Sequence, residues 1–167
     1  EAELLVAEAA RAEDGGAEDG GTKDGGAEPD PEVTSLRLRA LDLILEAGIE
    51  ELGEPDIPER VERLRSAVAG EPRPAASWER LHHYFAAHGS YARAEDALFA
   101  WLDALDAAVS DSRQVQYLSD MGGSFYRSLD GVGDDALEAG GLPRDEVEEG
   151  RRSFEDGVAA LTAQAAG

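Results

Sequence analysis

Apolar residues recur along most of the chain at spacings of three and four, which place them on one face of an α-helix. No stretch shows the sustained alternation of apolar and polar residues that is typical of a strand, so the pattern predicts an all-α protein. Glycine and proline divide the pattern into six to seven helices, arranged as antiparallel hairpins. The apolar stripes contain Leu38, Leu41, Leu45, Ile49 and Leu52; Val61, Leu64 and Val68; Ala94, Leu98, Trp101, Leu102 and Leu105; Tyr117, Leu118, Met121, Phe125 and Leu129; and Val147, Phe154, Val158 and Leu161.

Capping residues and helix breakers give the expected helix ends. The first helix starts at Thr34 or Ser35 and stops at Gly53, and the second starts after Asp56. The third helix runs from near Ser77 to His88, and the fourth from about Tyr91 to Val109. The fifth helix is capped by Ser110, Asp111 or Ser112, a short helix covers 134–139, and the last helix follows Pro143.

Gly122 and Gly123 lie in the middle of the fifth helix. Each costs roughly 1 kcal/mol relative to alanine inside a helix, so a turn at this point is the alternative. We predict a continuous helix in which the two glycines allow the close approach of a neighbouring helix.

The N-terminal segment 1–32 differs in composition from the rest of the chain. It holds 11 acidic and 2 basic residues and three Gly-Gly pairs, each of which follows an aspartate. Such a segment buries too little apolar surface to offset the entropy of ordering it. We therefore predict an acidic, glycine-rich flexible segment over 1–32, with a short helix over 2–11, followed by one α-helical domain over 33–167. The segment is either a tether or interaction arm, or an insert without a function of its own.

The net charge of −22 excludes several classes of function. Double-stranded nucleic acid and anionic membrane surfaces both require a basic patch, so neither is an expected partner. The chain has no cysteine, which excludes disulfides and thiolate chemistry. It also lacks a run of 18 apolar residues and a visible signal peptide, so we expect a cytoplasmic protein.

Residues 78–101 resemble one unit of the tetratricopeptide repeat (TPR) family. The matching positions are Trp78, Leu81, Phe85, Gly89, Tyr91, Ala94 and Leu98. His82 stands where the repeat prefers a small residue, and Asp106 replaces the closing proline. A shift by 34 residues finds only a decayed second unit. The resemblance implies a TPR-like fold, in which the other helices supply the packing that a single unit lacks.

Two further stretches, 89–99 and 137–150, resemble an uncharacterised bacterial domain family with TPR-like helical hairpins. This resemblance supports the same fold and assigns no activity to the chain.

The TPR-like pattern also provides candidate binding residues. Glu79 and His83 lie on the face that lines the groove in such repeats, and Arg80 lies beside them. Tyr84 and Phe99 fall away from the apolar stripes, so they mark a partner surface if they are exposed and core residues if they are buried. The spacing of Glu79 and His83 suits a metal as well, but a third ligand is not evident.

We therefore expect a non-catalytic interaction or scaffold module without a cofactor or metal. Its partner is a protein or peptide, including a second copy of the chain. The alternative is a small helical regulatory bundle with a ligand between the helices at 77–88 and 112–130, in an apolar cavity near the two central glycines. An enzyme that uses Glu79, His83 and a further carboxylate is a third, less favoured hypothesis.

Overall fold

The structure, a computed structural model, describes residues 31–50, 57–107 and 112–165. Every regular element in these ranges is an α-helix, which confirms the predicted all-α class. The helices are α1 (Pro31–Glu50), α2 (Ile57–Ala67), α3 (Ala75–Ala87), α4 (Tyr91–Ala107), α5 (Ser112–Leu129), α6 (Asp134–Ala139) and α7 (Arg144–Ala165). The chain divides into two compact units, Glu1–Pro72 and Arg73–Gly167. None of the described helices is long and apolar enough to cross a membrane.

In the first unit, α1 packs against α2. Most of the predicted stripes are confirmed, since Leu41, Leu45, Val61 and Val68 are fully buried. Leu38 is only partly buried. The predicted start of the first helix was wrong, because α1 is already helical at Pro31. A proline fits the first turn of a helix, where its missing N–H group has no partner to lose.

Several predictions concern residues outside the described ranges. These are the flexible segment 1–32 (apart from Pro31 and Glu32 in α1), its short helix over 2–11, the end of the first helix at Gly53, and the caps at Ser110 and Asp111.

The second unit is built around α4, which contacts α3, α5 and α7. The turn 88–90 makes α3 and α4 antiparallel, and Gly89 in this turn has a φ of 69° that favours glycine. Contacts between α4 and α7 advance in step along both helices, so these two helices are parallel. Helix α5 runs against both of them. Its buried residues are Val115, Leu118, Gly122, Phe125, Tyr126 and Leu129.

The predicted continuity of α5 is confirmed, and the predicted close approach of a neighbouring helix is found at Gly122 but not at Gly123. Helix α5 continues through both residues, and the Phe154 ring of α7 lies directly over Gly122. A Cβ atom on Gly122 would lie 2.2 Å from Cε1 of Phe154. Gly150 and Gly157 of α7 similarly leave room for side chains of α4. These close approaches hold α7 against α4 and α5.

The short helix α6 has the predicted bounds, and the residue that follows it, Gly140, contacts α4. The carbonyl oxygen of Gly140 accepts a hydrogen bond of 3.0 Å from the backbone N–H of Ala92 in the first turn of α4. Arg144 then donates to the carbonyl oxygen of Leu129, the last residue of α5, and to that of Val132 in the following turn. The two contacts satisfy backbone groups that helix ends leave without partners.

Candidate functional site

His82 joins three helices in the core next to the candidate site. It is 2% exposed, and its Nδ1 lies 2.9 Å from the carbonyl oxygen of Ala94 on α4. Because a carbonyl oxygen only accepts hydrogen bonds, Nδ1 carries the proton. The His82 ring also contacts the Phe125 ring of α5 edge to face, at 4.9 Å between centroids. Burial lowers the pKa of His82, so the ring is neutral and structural at pH 7.

A hydrogen bond between Tyr117 and Glu79 connects α5 to α3 near the protein surface. The Tyr117 hydroxyl donates a hydrogen bond of 2.6 Å to Oε1 of Glu79. The Tyr117 ring contacts the buried ring of Trp101 on α4, at 5.8 Å between centroids. Nevertheless, 48% of Tyr117 is exposed. The hydrogen bond to Glu79 raises the pKa of Tyr117, and burial adds to this effect. The hydroxyl therefore remains a donor at neutral pH.

The predicted residues Glu79 and His83 lie one turn apart on α3 and are both partly exposed. His83 contacts the ring of His82 at 5.5 Å between centroids. We call the surface formed by Glu79, His83 and Tyr117 the α3–α5 face. Arg80 lies beside it and donates from Nη1 to the carbonyl oxygen of Ala76, at 3.3 Å.

The other two predicted residues are not brought to this face. Tyr84 is 3% exposed, which corrects its interpretation as an exposed partner residue. It follows Leu81 by three positions and precedes Phe85, so it falls at the edge of the buried side of α3. Phe99 is partly buried and contacts the Phe154 ring of α7 at 6.1 Å between centroids. Of the two alternatives that the sequence left open for these rings, the structure shows packing rather than an exposed pair.

The pattern of apolar residues placed Tyr117 in the core, and this was wrong. The buried stripe of α5 is centred on Leu118, Phe125 and Leu129, and Tyr117 lies about 100° of helix rotation from Leu118. A signal for its exposure was present in the repeat. A shift by 34 residues places Tyr117 beneath His83, which the TPR pattern assigns to the groove.

A family model matches residues 35–156 of the chain, and its family is described as a family of unknown function, DUF6483. The chain belongs to this family. This confirms the expectation of an uncharacterised domain family. Neither a curated protein nor a solved structure matches the chain.

In this DUF6483 domain, the two stretches that suggested an uncharacterised family lie against each other. A Cβ atom on Gly140 would lie 2.4 Å from Cδ2 of Tyr91, and one on Gly150 would lie 1.9 Å from Oε1 of Glu95. The Tyr126 hydroxyl donates a hydrogen bond of 2.8 Å to the same oxygen of Glu95. These residues of the DUF6483 domain therefore form helix contacts.

The described part of the DUF6483 domain holds no group of three or more histidine, aspartate or glutamate residues suited to a metal ion. The aspartate-rich turn at 130–135 forms ion pairs with α7. Asp130 pairs with Arg151, and Asp134 pairs with Arg144 at 3.1 Å. Two carboxylates of this turn are thus ion-paired with arginines of α7.

The Phe154 ring fills the space over Gly122, near which the alternative hypothesis placed a ligand cavity. A groove of about 340 Å³ lies on the α7 side of α5. Its lining residues include Asp120, Gly123, Arg127 and Glu155. The groove is therefore lined by α5 and α7 rather than by α3 and α5.

Proposed function

We propose that this DUF6483 domain is a non-catalytic, TPR-like module that binds a protein or peptide through the α3–α5 face. The observation that carries the proposal is the exposure of Tyr117. Its ring packs on Trp101 and its hydroxyl is hydrogen-bonded to Glu79, yet 48% of the residue is exposed. A ring fixed at both ends loses little conformational entropy when it binds.

Tyrosine is enriched among the residues that dominate binding energy at protein interfaces, because it combines apolar area with a polar group. Glu79 accepts a hydrogen bond from the Tyr117 hydroxyl, and His83, one turn from Glu79 on α3, adds a second partly exposed polar side chain. The α3–α5 face therefore combines an aromatic centre with a polar surround, which is the usual arrangement of an interface.

The packing of α3, α4 and α5 supports the TPR-like part of the proposal. Helices α3 and α4 form an antiparallel pair, and the small residue Ala94 is fully buried between larger ones. Helix α5 runs in the same direction as α3, since the contacts Glu79–Tyr117 and His82–Phe125 advance together along both helices. In solenoid repeats, such successive helices line a concave binding surface.

Photo-crosslinking from the α3–α5 face tests the proposal. A benzophenone side chain is placed at Ser124, which is exposed two turns after Tyr117 on α5. The matched control position is Ser153, which is exposed on α7. Both variants of the full chain are irradiated in an extract of the cells that produce the protein, and the adducts are identified by mass spectrometry.

We expect an adduct from position 124 that is absent from position 153 and is lost when Tyr117→Ala is added. An adduct of twice the chain mass would identify a second copy as the partner. Equal adducts from both positions, adducts that do not depend on Tyr117, or no adduct would each contradict the proposal.

A further inference from the structure

Three aromatic rings of the second unit each have an arginine of the same chain over them. Arg73 lies 4.9 Å from the ring centroid of Trp78, and Arg93 lies 5.5 Å from that of Phe85. Arg151 lies 5.9 Å from the ring centroid of Tyr126. A guanidinium at these distances is attracted to the negative face of the ring. Pairing of arginine with an aromatic ring is thus a repeated contact in this unit.

Tyr117 differs from these three rings. Its partners are the ring of Trp101 and the carboxylate of Glu79, and within the described ranges no guanidinium lies over it. It is also the aromatic residue with the largest described exposure, at 48%. A cation over this ring would lie close to the Glu79 carboxylate, so the ring and the carboxylate would attract it together.

The charge of the surrounding unit favours a cationic partner. Residues 73–165 hold 17 acidic and 8 basic residues. A surface with such an excess of negative charge attracts cationic segments from solution and repels acidic ones. The nearby Arg80 does not provide the missing cation, because its guanidinium is bonded to the carbonyl oxygen of Ala76.

We propose that the α3–α5 face binds an arginine side chain of a partner polypeptide, whose guanidinium lies over the Tyr117 ring and pairs with the Glu79 carboxylate. Arginine fits better than lysine, because its planar group stacks on a ring and donates hydrogen bonds at its edge at the same time. This inference rests on the proposed function and names the chemistry of the partner.

A peptide titration of the full chain tests the inference. The probe is a fluorescein-labelled peptide of nine residues in which arginine alternates with glycine, and the readout is fluorescence anisotropy. Two matched peptides replace every arginine, one with lysine and one with citrulline, which is a neutral isostere. We expect the lysine peptide to bind at least about 3-fold more weakly, and the citrulline peptide at least about 10-fold more weakly, than the arginine peptide.

Variants of the chain separate a specific site from general attraction by charge. Tyr117→Ala is expected to weaken the binding of the arginine peptide about 10-fold, and Glu79→Gln about 5-fold. Tyr117→Phe keeps the ring and is expected to bind more tightly than Tyr117→Ala. The control Glu149→Gln removes the same charge from an exposed position on α7 and is expected to change the affinity less than about 2-fold. Far-ultraviolet circular dichroism shows whether each variant remains helical.

Equal affinities of the wild-type and Tyr117→Ala chains would overturn the inference, as would equal losses for Glu79→Gln and Glu149→Gln. Either result would mean that the net charge alone attracts the peptide. If the crosslinked adduct from position 124 forms but the citrulline peptide binds as well as the arginine peptide, the inference fails and the proposed function stands. If neither an adduct nor arginine-dependent binding is found, both fail.

Discussion

Helix α5 carries two tyrosines, nine positions apart, that each donate a hydrogen bond to a glutamate of another helix. Tyr126 donates to Glu95 of α4 at 2.8 Å, and Tyr117 donates to Glu79 of α3 at 2.6 Å. The two bonds have the same chemistry, but their environments differ. Tyr126 is 1% exposed and Tyr117 is 48% exposed.

The difference in exposure arises from α7, because Gly150 of α7 lies against the Tyr126–Glu95 hydrogen bond and shields it from water. Burial raises the pKa of Glu95, although the hydrogen bond from Tyr126 partly opposes the shift and the nearby Asp96 and Glu146 add to it. Burial also raises the pKa of Tyr126. A hydrogen bond is stronger in such surroundings, and losing one partner costs more. The buried bond therefore holds the fold, and the exposed bond orients a ring that remains available.

The largest expected effect comes from forcing α7 away from α5. Gly122→Ala places a Cβ atom 2.2 Å from the buried Phe154 ring. Overpacking of about 3 kcal/mol, offset by about 1 kcal/mol of helix propensity, gives an expected loss of about 2 kcal/mol in the free energy of unfolding. Urea denaturation followed by circular dichroism measures it.

The adjacent glycine is the control for this variant. A Cβ atom on Gly123 would meet only the flexible end of Arg127, at 3.4 Å. We expect Gly123→Ala to raise the free energy of unfolding by up to about 1 kcal/mol. If the two variants shift stability in the same direction by similar amounts, the Phe154 ring does not pack on Gly122 as described.

The next effect tests the buried pair itself. Tyr126→Phe removes the hydroxyl and leaves the partly buried Glu95 carboxylate without this donor, so we expect a loss of about 1.5 kcal/mol at pH 7. Thermal and urea unfolding measure it. A loss of less than about 0.5 kcal/mol, which is the usual range for surface substitutions, would show that the buried bond contributes no more than an exposed one.

A smaller effect depends on pH. Because the pKa of Glu95 is raised in the folded chain, the folded state keeps this proton at pH values where the unfolded state has released it. The contribution of Glu95 to stability therefore falls as the pH rises from about 4.5 through the folded pKa. Glu95→Gln removes this dependence. We expect the free energy of unfolding of the variant, relative to that of the wild type, to rise between about pH 4.5 and pH 7. Urea titrations at several pH values in this range measure the difference. A difference that falls as the pH rises would contradict this explanation.

The smallest effect on stability is expected at the exposed pair. Tyr117→Phe loses one hydrogen bond at a position where water replaces it, so the free energy of unfolding should change by less than about 0.5 kcal/mol. The same unfolding measurements compare it directly with Tyr126→Phe. Equal losses for the two variants would remove the distinction between a structural and an available tyrosine.

The sequence predicted the features of the fold that depend on local patterns. The bounds of α6 and the buried face of α7, with Val147, Phe154 and Val158, followed from spacing, and Gly140 and Pro143 marked the helix ends. The predicted start of α1 at Thr34 or Ser35 was wrong, because the chain is already helical at Pro31, and proline also suits the first turn of a helix.

The candidate site was only partly predictable. Glu79 and His83 followed from the TPR pattern, but the bond between Glu79 and Tyr117 joins residues 38 positions apart. Helical periodicity within α5 alone does not show which neighbour contacts each side of the helix. The neutral state of His82 likewise depends on its burial against Ala94 and Phe125, which are brought together only in the folded chain.

The close packing of α7 has a consequence for the order of assembly. Two contacts between α3 and α4, Arg93 with Phe85 and Ala94 with His82, join residues that are 8 and 12 positions apart. Those of α7 with α4 and α5 span 25 to 55 positions, as Arg151 with Tyr126 and Gly150 with Glu95 show. Closing longer loops costs more entropy, so we expect the α3–α4 pair to form first and α7 to dock last. During synthesis, every residue of the α3–α5 face is then in place on the chain before α7 has been made.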